Sequence, residues 1–272
     1  MDALQQLAHW PVDAVSAAVI TPDRSPNVAT FGDTDRVFSL ASVTKLLVAH
    51  AVLVAVEEGA IDLDEAAGPP GSTVAHLLAH ASGLDFDARD AVAEPGTTRI
   101  YSSAGYEVLA ETVAAATGIA FADYLREALA EPLGLSATTL DGPAGHGASS
   151  NVDDLARFAV ELLDPMLISP QTAELARAVQ FPGIDGFTPG YGKFRPNDWG
   201  LGPELKGTKN PHWTAPEHSP STFGHFGQAG TFLWVDPERR AAAVVLTDRP
   251  FGGWAKPLWS QTNQGILAEL GH

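Results

Sequence analysis

The chain has 272 residues and a formal net charge of −17, because 33 Asp and Glu residues stand against 16 Lys and Arg residues. This excess of negative charge argues against a nucleic-acid partner and against binding to an anionic membrane, whose phosphates would be repelled. The chain has no cysteine, which excludes disulfides, thiolate metal sites and a cysteine nucleophile. Its length suits one large domain or two closely connected ones.

The N-terminal part predicts a short helix over residues 2–9 and two strands, over 14–20 and 27–31, joined by a turn at 21–26. Residues 1–6 have neither the basic nor the long apolar region of a secretory signal, so we expect a cytoplasmic protein.

Residues 46–56 are almost uniformly apolar, a pattern typical of a helix that is buried on every side. The stretch is too short to cross a bilayer, which takes about 20 residues. Gly59 follows it and can take the left-handed conformation that ends many helices.

The rest of the chain divides into a helical middle and a strand-rich end. Helices are predicted at 74–80, 105–117, 121–130, 152–163 with Asn151 as N-cap, and 170–179. Strands are predicted at 198–205, 223–236 and 241–247, the last two as a hairpin through 237–240, before a helix at 256–270. The expected class is α+β, with an antiparallel sheet built from both termini, flanked by helices and carrying an inserted helical subdomain. We therefore predict one catalytic domain over 1–272, with the sheet in 1–69 and 196–272 and the helical subdomain in 70–195.

Ser42 and Lys45 lie three residues apart, just before the apolar stretch. If Ser42 opens a helix, this spacing sets both side chains on one face within contact distance. A desolvated lysine can take the proton of a serine hydroxyl near neutral pH and make it a nucleophile. The positive end of the helix would oppose protonation of Lys45. Alone, Ser-x-x-Lys arises by chance in about one in four chains of this composition, so the motif needs support.

Two later stretches could complete such a site. Tyr101 stands with two hydroxyl residues just before a predicted helix; taken alone, this stretch is explained better by a capped helix start with a core tyrosine. Residues 223–230 hold three glycines at a strand, which indicates close approach of a ligand or of another backbone. A bulged edge strand is the alternative there.

Together these stretches resemble the serine β-lactamase-like family, which includes class C β-lactamases, penicillin-binding DD-peptidases, D-aminopeptidases and related esterases. Its first motif, Ser-x-x-Lys, matches Ser42 and Lys45; the second, Tyr-x-Asn, matches residues 101–103; the third, Lys-Thr-Gly or His-x-Gly, matches 225–227. Residues 77–84, 150–158 and 199–202 are also similar to the family, so the resemblance covers nearly the whole chain. A Ser-x-x-Lys motif with such partner motifs is a recognised catalytic signature.

The resemblance implies a role for each matching residue. Ser42 would be the nucleophile, Lys45 its proton acceptor or electrostatic partner, and Tyr101 a base that later protonates the leaving group. A nearby lysine cation would lower the pKa of Tyr101 toward the working range. The backbone N–H groups of Ser42 and Gln228 would form the oxyanion hole. The remaining positions would contact substrate: Ser103, His225, Phe226 and Gly227.

The chain departs from the family pattern at positions that recognise substrate. Ser103 replaces the asparagine, and His225 and Phe226 replace the Lys-Thr pair that holds a carboxylate in penicillin-recognising members. We therefore predict a serine hydrolase that forms an acyl-enzyme on a small-molecule ester or amide, with small neutral esters preferred. The alternatives are a β-lactamase, a D-alanyl-D-alanine carboxypeptidase or D-aminopeptidase, and, from another class, a non-catalytic binding or sensor protein. The oligomeric state stays open.

No cofactor or metal is expected. His76 and His80, with Asp85 and Asp87 nearby, could suggest a metal site, but Leu77 stands where the zincin pattern needs a glutamate. A buried structural hydrogen bond is the predicted role of His80. No glycine-rich phosphate loop or dinucleotide fingerprint is present. Residues 206–220 predict a long loop, of the kind that often forms a lid or a binding site.

Overall fold

A six-stranded antiparallel sheet, in the order β2-β1-β12-β11-β10-β9, forms the centre of the chain. The structure, a computed structural model, describes residues 1–22 and 26–271, so the middle of the predicted turn at 21–26 lies outside the described residues. Within these residues the strands are β1 Val15–Pro22, β2 Pro26–Phe31, β3 Phe38–Ser39, β4 Arg99–Ile100, β5 Thr139–Leu140, β6 Ala148–Ser150, β7 Gly186–Thr188, β8 Gly192–Phe194, β9 Glu204–Leu205, β10 Phe223–Gly227, β11 Thr231–Asp236 and β12 Ala241–Thr247.

Helices cover both faces of this sheet. They are α1 Asp2–Gln5, α2 Thr44–Glu57, α3 Val74–Leu78, α4 Ser103–Thr117, α5 Phe121–Leu125, α6 Glu131–Leu133, α7 Val152–Leu163, α8 Pro170–Ala176 and α9 Ala255–Leu270. Short 3₁₀ segments lie at Gln6–His9 and Ala41–Val43, and a π turn joins α5 to α6 at Arg126–Ala130. No single helix of the described residues has the length and apolarity to cross a membrane; α4 and the segment Phe121–Leu133, which meet at 85°, pass that test only as a pair.

The side chains of the central strands alternate between two cores. In β1, Ala18 and Ile20 face the core that contains α2 and α7, whereas Ala17 and Val19 face the core beneath α1 and α9. Strand β12 repeats this alternation, and Ala18 pairs with Val244 across the ladder. Because both faces are buried, these strands are apolar at nearly every position instead of alternating with polar residues.

Helix α2 is the buried helix that the sequence predicts. Its residues from Thr44 to Ala55 are all buried, and Gly59 takes the left-handed conformation with φ +71°. Helix α7 matches its predicted bounds, and the Asn151 side chain accepts a 2.8 Å hydrogen bond from the Asp154 N–H as its N-cap. Both helices could be predicted because the apolar pattern and the capping residue are local features, and tertiary packing does not oppose them here.

Three sequence predictions need correction. The strand predicted at 198–205 is wrong for most of its length, since within it only Glu204–Leu205 is a strand and Trp199 forms an isolated bridge to Glu204. The strand predicted at 223–236 is two strands, β10 and β11, which form their own hairpin across Gln228, Ala229 and Gly230. The small sheets β3-β6-β5 and β4-β7-β8 were not predicted, because strands of two or three residues carry too little pattern.

The antiparallel sheet built from both ends of the chain is confirmed. Strands β1 and β2 come from the N-terminal part, β9 to β12 from the C-terminal part, and α3 to α8 lie between them. Helix α7 packs on β1 and β12 and shares their core. The boundaries of the helical subdomain, at 70 and 195, stay a prediction.

Candidate active site

Ser42 lies in the 3₁₀ turn Ala41–Val43, immediately before α2. The sequence placed it at the first turn of the α-helix; in the structure the α-helix begins two residues later and Lys45 is in its first turn. Ala41 has φ +46°, a left-handed conformation that a non-glycine residue adopts at a cost of about 1–3 kcal/mol. Thr231 Oγ1 donates a 2.9 Å hydrogen bond to the Leu40 carbonyl and so ties this turn to β11. The turn before α2 is therefore held against the sheet.

Gly227 allows β10 to approach this turn. A Cβ at position 227 would overlap the carbonyl oxygen of Leu40, lie 2.5 Å from Thr231 Oγ1 and sit 3.1 Å from the Cβ of Ala41. Only a residue without a side chain fits between two backbones at this separation. The contact brings Gln228, the next residue, to the pocket that Ser42 lines.

Lys45 is completely buried. Its Nζ donates hydrogen bonds to the Gly145 carbonyl at 2.7 Å and to Ser103 Oγ at 3.3 Å. Burial lowers the pKa of Lys45 to about 7, against an opposing effect of the Glu107 and Asp87 charges. Near neutral pH a large fraction of Lys45 is therefore the free amine. Its two hydrogens can satisfy the two acceptors, and its lone pair then remains to take a proton.

The sequence did not indicate the part that residues 141–147 play in this site. Gly145 presents its carbonyl to Lys45, and its N–H donates a 2.8 Å hydrogen bond to Glu107 Oε1 on α4. A Cβ at position 145 would lie 3.0 Å from Cβ of Ser103, so glycine permits the close packing of this loop on the start of α4. Three glycines between 142 and 147 are the signal that could have indicated it.

The start of α4 fixes Tyr101. Ser102 is the N-cap, with its Oγ accepting from the Gly105 N–H at 3.0 Å and its own N–H donating to Nδ1 of His80 at 3.1 Å. The rings of Tyr101 and His80 are 4.5 Å apart at their centroids. The capped helix start considered from the sequence is therefore present in the structure. It holds Tyr101 beside Ser42.

The expected direction of the Tyr101 pKa is wrong. Burial raises the pKa of Tyr101 well above its ordinary value, and the smaller effect of the neighbouring Ser42 does not offset this. Lys45 Nζ lies 4.6 Å from the centroid of the Tyr101 ring. The lysine titrates near neutrality and the tyrosine stays protonated, because the same burial disfavours the charged form of each group.

His225 fixes the direction of the hydrogen bond made by Tyr101. Nδ1 of His225 lies 2.6 Å from the Phe226 carbonyl oxygen, which can only accept, so Nδ1 carries the proton. Nε2 is then an acceptor, and the Tyr101 hydroxyl donates to it at 3.3 Å. Burial, followed by the charge of Lys45, lowers the pKa of His225 to about 3. His225 is a neutral acceptor at working pH, and the oxygen of Tyr101 can accept from Ser42.

We expect Tyr101→Phe to keep the ring packing but to lower kcat for the best ester substrate by about 100-fold, because a positioned proton donor is lost. Steady-state kinetics of the variant beside the parent protein measure this, and circular dichroism checks that the fold is kept. His9→Phe serves as the control, because His9 is exposed and is not among the residues that line the pocket at Ser42. If kcat of Tyr101→Phe equals that of the parent protein, the Tyr101 hydroxyl takes no part in the reaction.

Ser42 opens into a pocket of about 320 Å³ whose wall is mostly aromatic. Among the described residues that line it, none is a lysine or arginine, and the one carboxylate is Glu204. Glu204 is buried, and its Oε1 lies 2.9 Å from Nζ of Lys209. Although burial opposes it, the charge of Lys209 holds the pKa of Glu204 well below its usual range. The sequence missed Glu204 and Lys209, since their pairing depends on the loop that follows β9.

An outer groove of about 510 Å³ adjoins this pocket. Phe86, Tyr101, Phe187 and Pro189 line both spaces. The ring of Phe187 is 59% exposed and that of Phe86 45% exposed. Two large exposed aromatic side chains at the mouth of a pocket are typical of a surface that receives an apolar ligand.

The predicted site residues come together as follows. The side chains of Ser42, Tyr101, His225, Phe226 and Gln228 line the pocket, Lys45 lies beneath them, and Ser103 contacts Lys45. Gly227 provides the close approach described above.

Phe226 also belongs to the core under α9. Phe226 is 4% exposed, and its ring packs against five other aromatic rings, with Phe251 and Trp259 among them. The contacts of Phe226 with this core limit which substitutions the position can take.

The two histidines considered as metal ligands have separate contacts. Nδ1 of His80 accepts from Ser102, as predicted for a structural role, whereas His76 stacks on Phe181 and pairs with Thr73. No group of three or more potential ligands converges within residues 1–22 and 26–271.

Comparison with known proteins agrees with this geometry. The profile of the Beta-lactamase family matches residues 13–261, so the chain belongs to that family. It is a serine hydrolase of the Beta-lactamase family, which implies a small-molecule substrate. A comparison with curated proteins gives no match.

Solved structures match the chain over its whole length. A beta-lactamase from Mycobacterium bovis is 56% identical, with a TM-score of 0.97 over 99% of this chain and 100% of that one. Unliganded simvastatin synthase from Aspergillus terreus is 19% identical, with a TM-score of 0.79 over 98% and 97% of the two chains. EstCE1, a hydrolase with promiscuous acyltransferase activity, is 18% identical, with a TM-score of 0.76 over 97% and 96%. At these lower identities the likeness is one of fold.

Proposed function

We propose that the protein hydrolyses small neutral esters through an acyl-enzyme on Ser42. The observation that carries this proposal is the absence of a lysine or arginine among the described residues that line the pocket. A carboxylate-bearing substrate needs a cation to hold it in a desolvated site. His225 stands at the position of the family's motif lysine, but it is neutral and its Nε2 is taken by Tyr101. An ester has no such requirement.

In the proposed mechanism, Oγ of Ser42 attacks the ester carbonyl carbon while its proton passes to the amine of Lys45. His225 is the other acceptor within the network, but burial and the charge of Lys45 lower its pKa to about 3, whereas the pKa of Lys45 is about 7, so Lys45 is the better proton acceptor. The backbone N–H groups of Ser42 and Gln228 would donate to the oxyanion that forms. Such preorganised donors act where charge develops and contribute about 100- to 1000-fold each.

Collapse of the tetrahedral intermediate breaks the bond to the leaving alcohol. Tyr101 is protonated and hydrogen-bonded to Ser42, so it donates the proton to the leaving oxygen and regains one from protonated Lys45. Water then attacks the acyl-enzyme with the amine of Lys45 again as base, which releases the acid and restores Ser42. Each proton taken in one step is returned in the next, as general acid–base catalysis requires.

The pocket and the aromatic mouth that it shares with the outer groove support an apolar acyl group in particular; Arg99 and Lys193 line only the outer groove. Each buried methylene is worth about 0.8 kcal/mol, and the aromatic wall offers room for several. We therefore expect kcat/KM to rise from p-nitrophenyl acetate to p-nitrophenyl butyrate. An unchanged or lower kcat/KM for p-nitrophenyl butyrate would show that the groove does not bind the acyl group.

A β-lactamase is the alternative, favoured by the name of the M. bovis relative. The decisive measurement compares kcat/KM for p-nitrophenyl butyrate with that for nitrocefin, and we expect the ester to be hydrolysed more efficiently. The reverse order would overturn the esterase proposal. His225→Lys tests whether the missing cation causes this preference. The variant should raise kcat/KM for nitrocefin relative to that for p-nitrophenyl butyrate. This variant is preferable to one that also carries Phe226→Thr, because removing the packed Phe226 ring costs about 3–5 kcal/mol.

A further inference from the structure

A second pocket, of about 280 Å³, lies between the long loop after β9 and the start of α9. It shares no lining residue with the pocket at Ser42. The chain has five lysines in all, and three of them, Lys206, Lys209 and Lys256, line this pocket. Among the described residues in its wall none is an aspartate or glutamate. In a chain with 33 acidic residues, this is a local concentration of positive charge.

Lys209 is already engaged, and the neighbouring His212 is neutral because burial lowers its pKa. Lys209 donates to Glu204 Oε1 at 2.9 Å and to two backbone carbonyls at 2.8 Å, which uses its three hydrogens. His212 accepts at Nδ1 from the Thr214 N–H at 3.3 Å and directs Nε2 toward Glu204 at 3.6 Å. Lys209 is therefore not available to a ligand, whereas Nε2 of His212 is buried and has no hydrogen-bond partner among the described residues.

Lys206 and Lys256 are different. Lys206 is 8% exposed, yet within the described part of the chain its Nζ has neither a hydrogen-bond acceptor nor a carboxylate within 4.0 Å. Burial lowers the pKa of Lys206, and the more distant charges of Asp236 and Glu217 offset this only in part. Nζ of Lys256 lies 5.1 Å from the centroid of the Tyr191 ring and likewise has no acidic partner there. The buried hydroxyl of Tyr191 also has no hydrogen-bond partner among the described residues. A buried cation without a partner is costly, and an anion in the pocket would remove that cost.

We propose that this pocket binds the phosphate group of a small phosphorylated molecule. Lysines act as point charges that suit a tetrahedral phosphate, whereas planar carboxylates are matched best by the fork of an arginine, and no arginine is among the described residues that line the pocket. The ammonium groups of Lys206 and Lys256 and the hydroxyls of Tyr191 and Ser260 are the donors. The volume exceeds that of phosphate alone, so the ligand carries a further organic part of a few heavy atoms. Binding does not depend on the proposed ester hydrolysis.

Isothermal titration calorimetry with glycerol 3-phosphate tests the proposal, with succinate as a dicarboxylate of equal charge. We expect saturable binding of glycerol 3-phosphate, weakened about 10- to 100-fold in Lys206→Met and in Lys256→Met, as loss of one charge-assisted hydrogen bond implies. Lys193→Met is the matched control, because it changes the net charge equally at a lysine outside this pocket and should bind as the parent does. Lys256 is exposed, so its variant keeps the test valid even if Lys206→Met fails to fold.

Protein phosphonylated at Ser42 should bind glycerol 3-phosphate as the free protein does, which places the ligand outside the catalytic pocket. The proposal is overturned by any of four results: no binding to the parent protein, unchanged affinity in Lys256→Met, equal weakening in Lys193→Met, or loss of binding after labelling of Ser42. Tighter binding of succinate than of glycerol 3-phosphate would overturn the assignment to phosphate.

Discussion

Ser42→Ala is expected to lower kcat for p-nitrophenyl butyrate by at least about 10⁴-fold, since loss of a serine nucleophile removes the covalent route altogether. The remaining groups of the site cannot compensate, because in the proposed mechanism Lys45 and Tyr101 only move the protons of the reaction and neither attacks the ester. Stopped and continuous ester assays at a fixed pH measure the loss. Ser39→Ala is the matched control, because Ser39 lies three residues before Ser42, is exposed and does not line the pocket.

A fluorophosphonate probe gives the complementary result. We expect one adduct, on the peptide that contains Ser42, and no adduct in Ser42→Ala when peptides are mapped by mass spectrometry. A probe bound to Ser82 or Ser103 with Ser42 unmodified would contradict the assignment of the nucleophile. A protein that takes no probe and hydrolyses no ester would favour the non-catalytic binding or sensor protein.

Replacing Lys45 has the second largest expected effect. Lys45→Met keeps the length of the side chain and removes the amine, and we expect a loss of about 100- to 10,000-fold in kcat/KM, the range that a general base contributes. Lys45→Arg separates the two roles that the sequence left open. An arginine keeps the positive charge but does not lose its proton in the working range, so it should lose as much as Lys45→Met if Lys45 is the base. Substantial activity in Lys45→Arg would assign Lys45 an electrostatic role.

The pH profile of the parent protein follows from the same residue. The base must be the free amine, so kcat/KM should fall about tenfold per unit as pH drops below the pKa of Lys45, about 7, and level off above it. Tyr101 stays protonated over this range because burial raises its pKa. A profile that instead rises only above pH 9 would assign the base to a group with an ordinary lysine or tyrosine pKa. The pH profile should be measured with two esters that have different leaving groups. The same apparent pKa with both esters assigns the fall at low pH to a group of the enzyme.

Part of the architecture could be predicted because it depends on local pattern. The apolar run of α2 and the acidic first turn of α7 after Asn151 indicate their helices without reference to neighbours. The strand at 198–205 failed because its apolar residues pack as a loop: a Cβ on Gly202 would overlap that of Ala49 on α2, so the chain approaches the helix there instead of pairing. The predicted strand at 223–236 failed at Gln228, where the turn next to Ser42 interrupts a run of strand-forming residues.

The sequence by itself determined the α+β class, the buried helix behind Ser42 and the three stretches that meet at the site. Only the tertiary structure decided which group there can take a proton. Burial lowers the pKa of Lys45 and raises that of Tyr101. From the sequence, a lysine cation near Tyr101 was expected to lower the pKa of the tyrosine instead. The pairing of Glu204 with Lys209 and the unpaired Lys206 likewise depend on where the loop after β9 is folded. Desolvation and charge pairing are properties of positions in space, so the order of residues along the chain does not contain them directly.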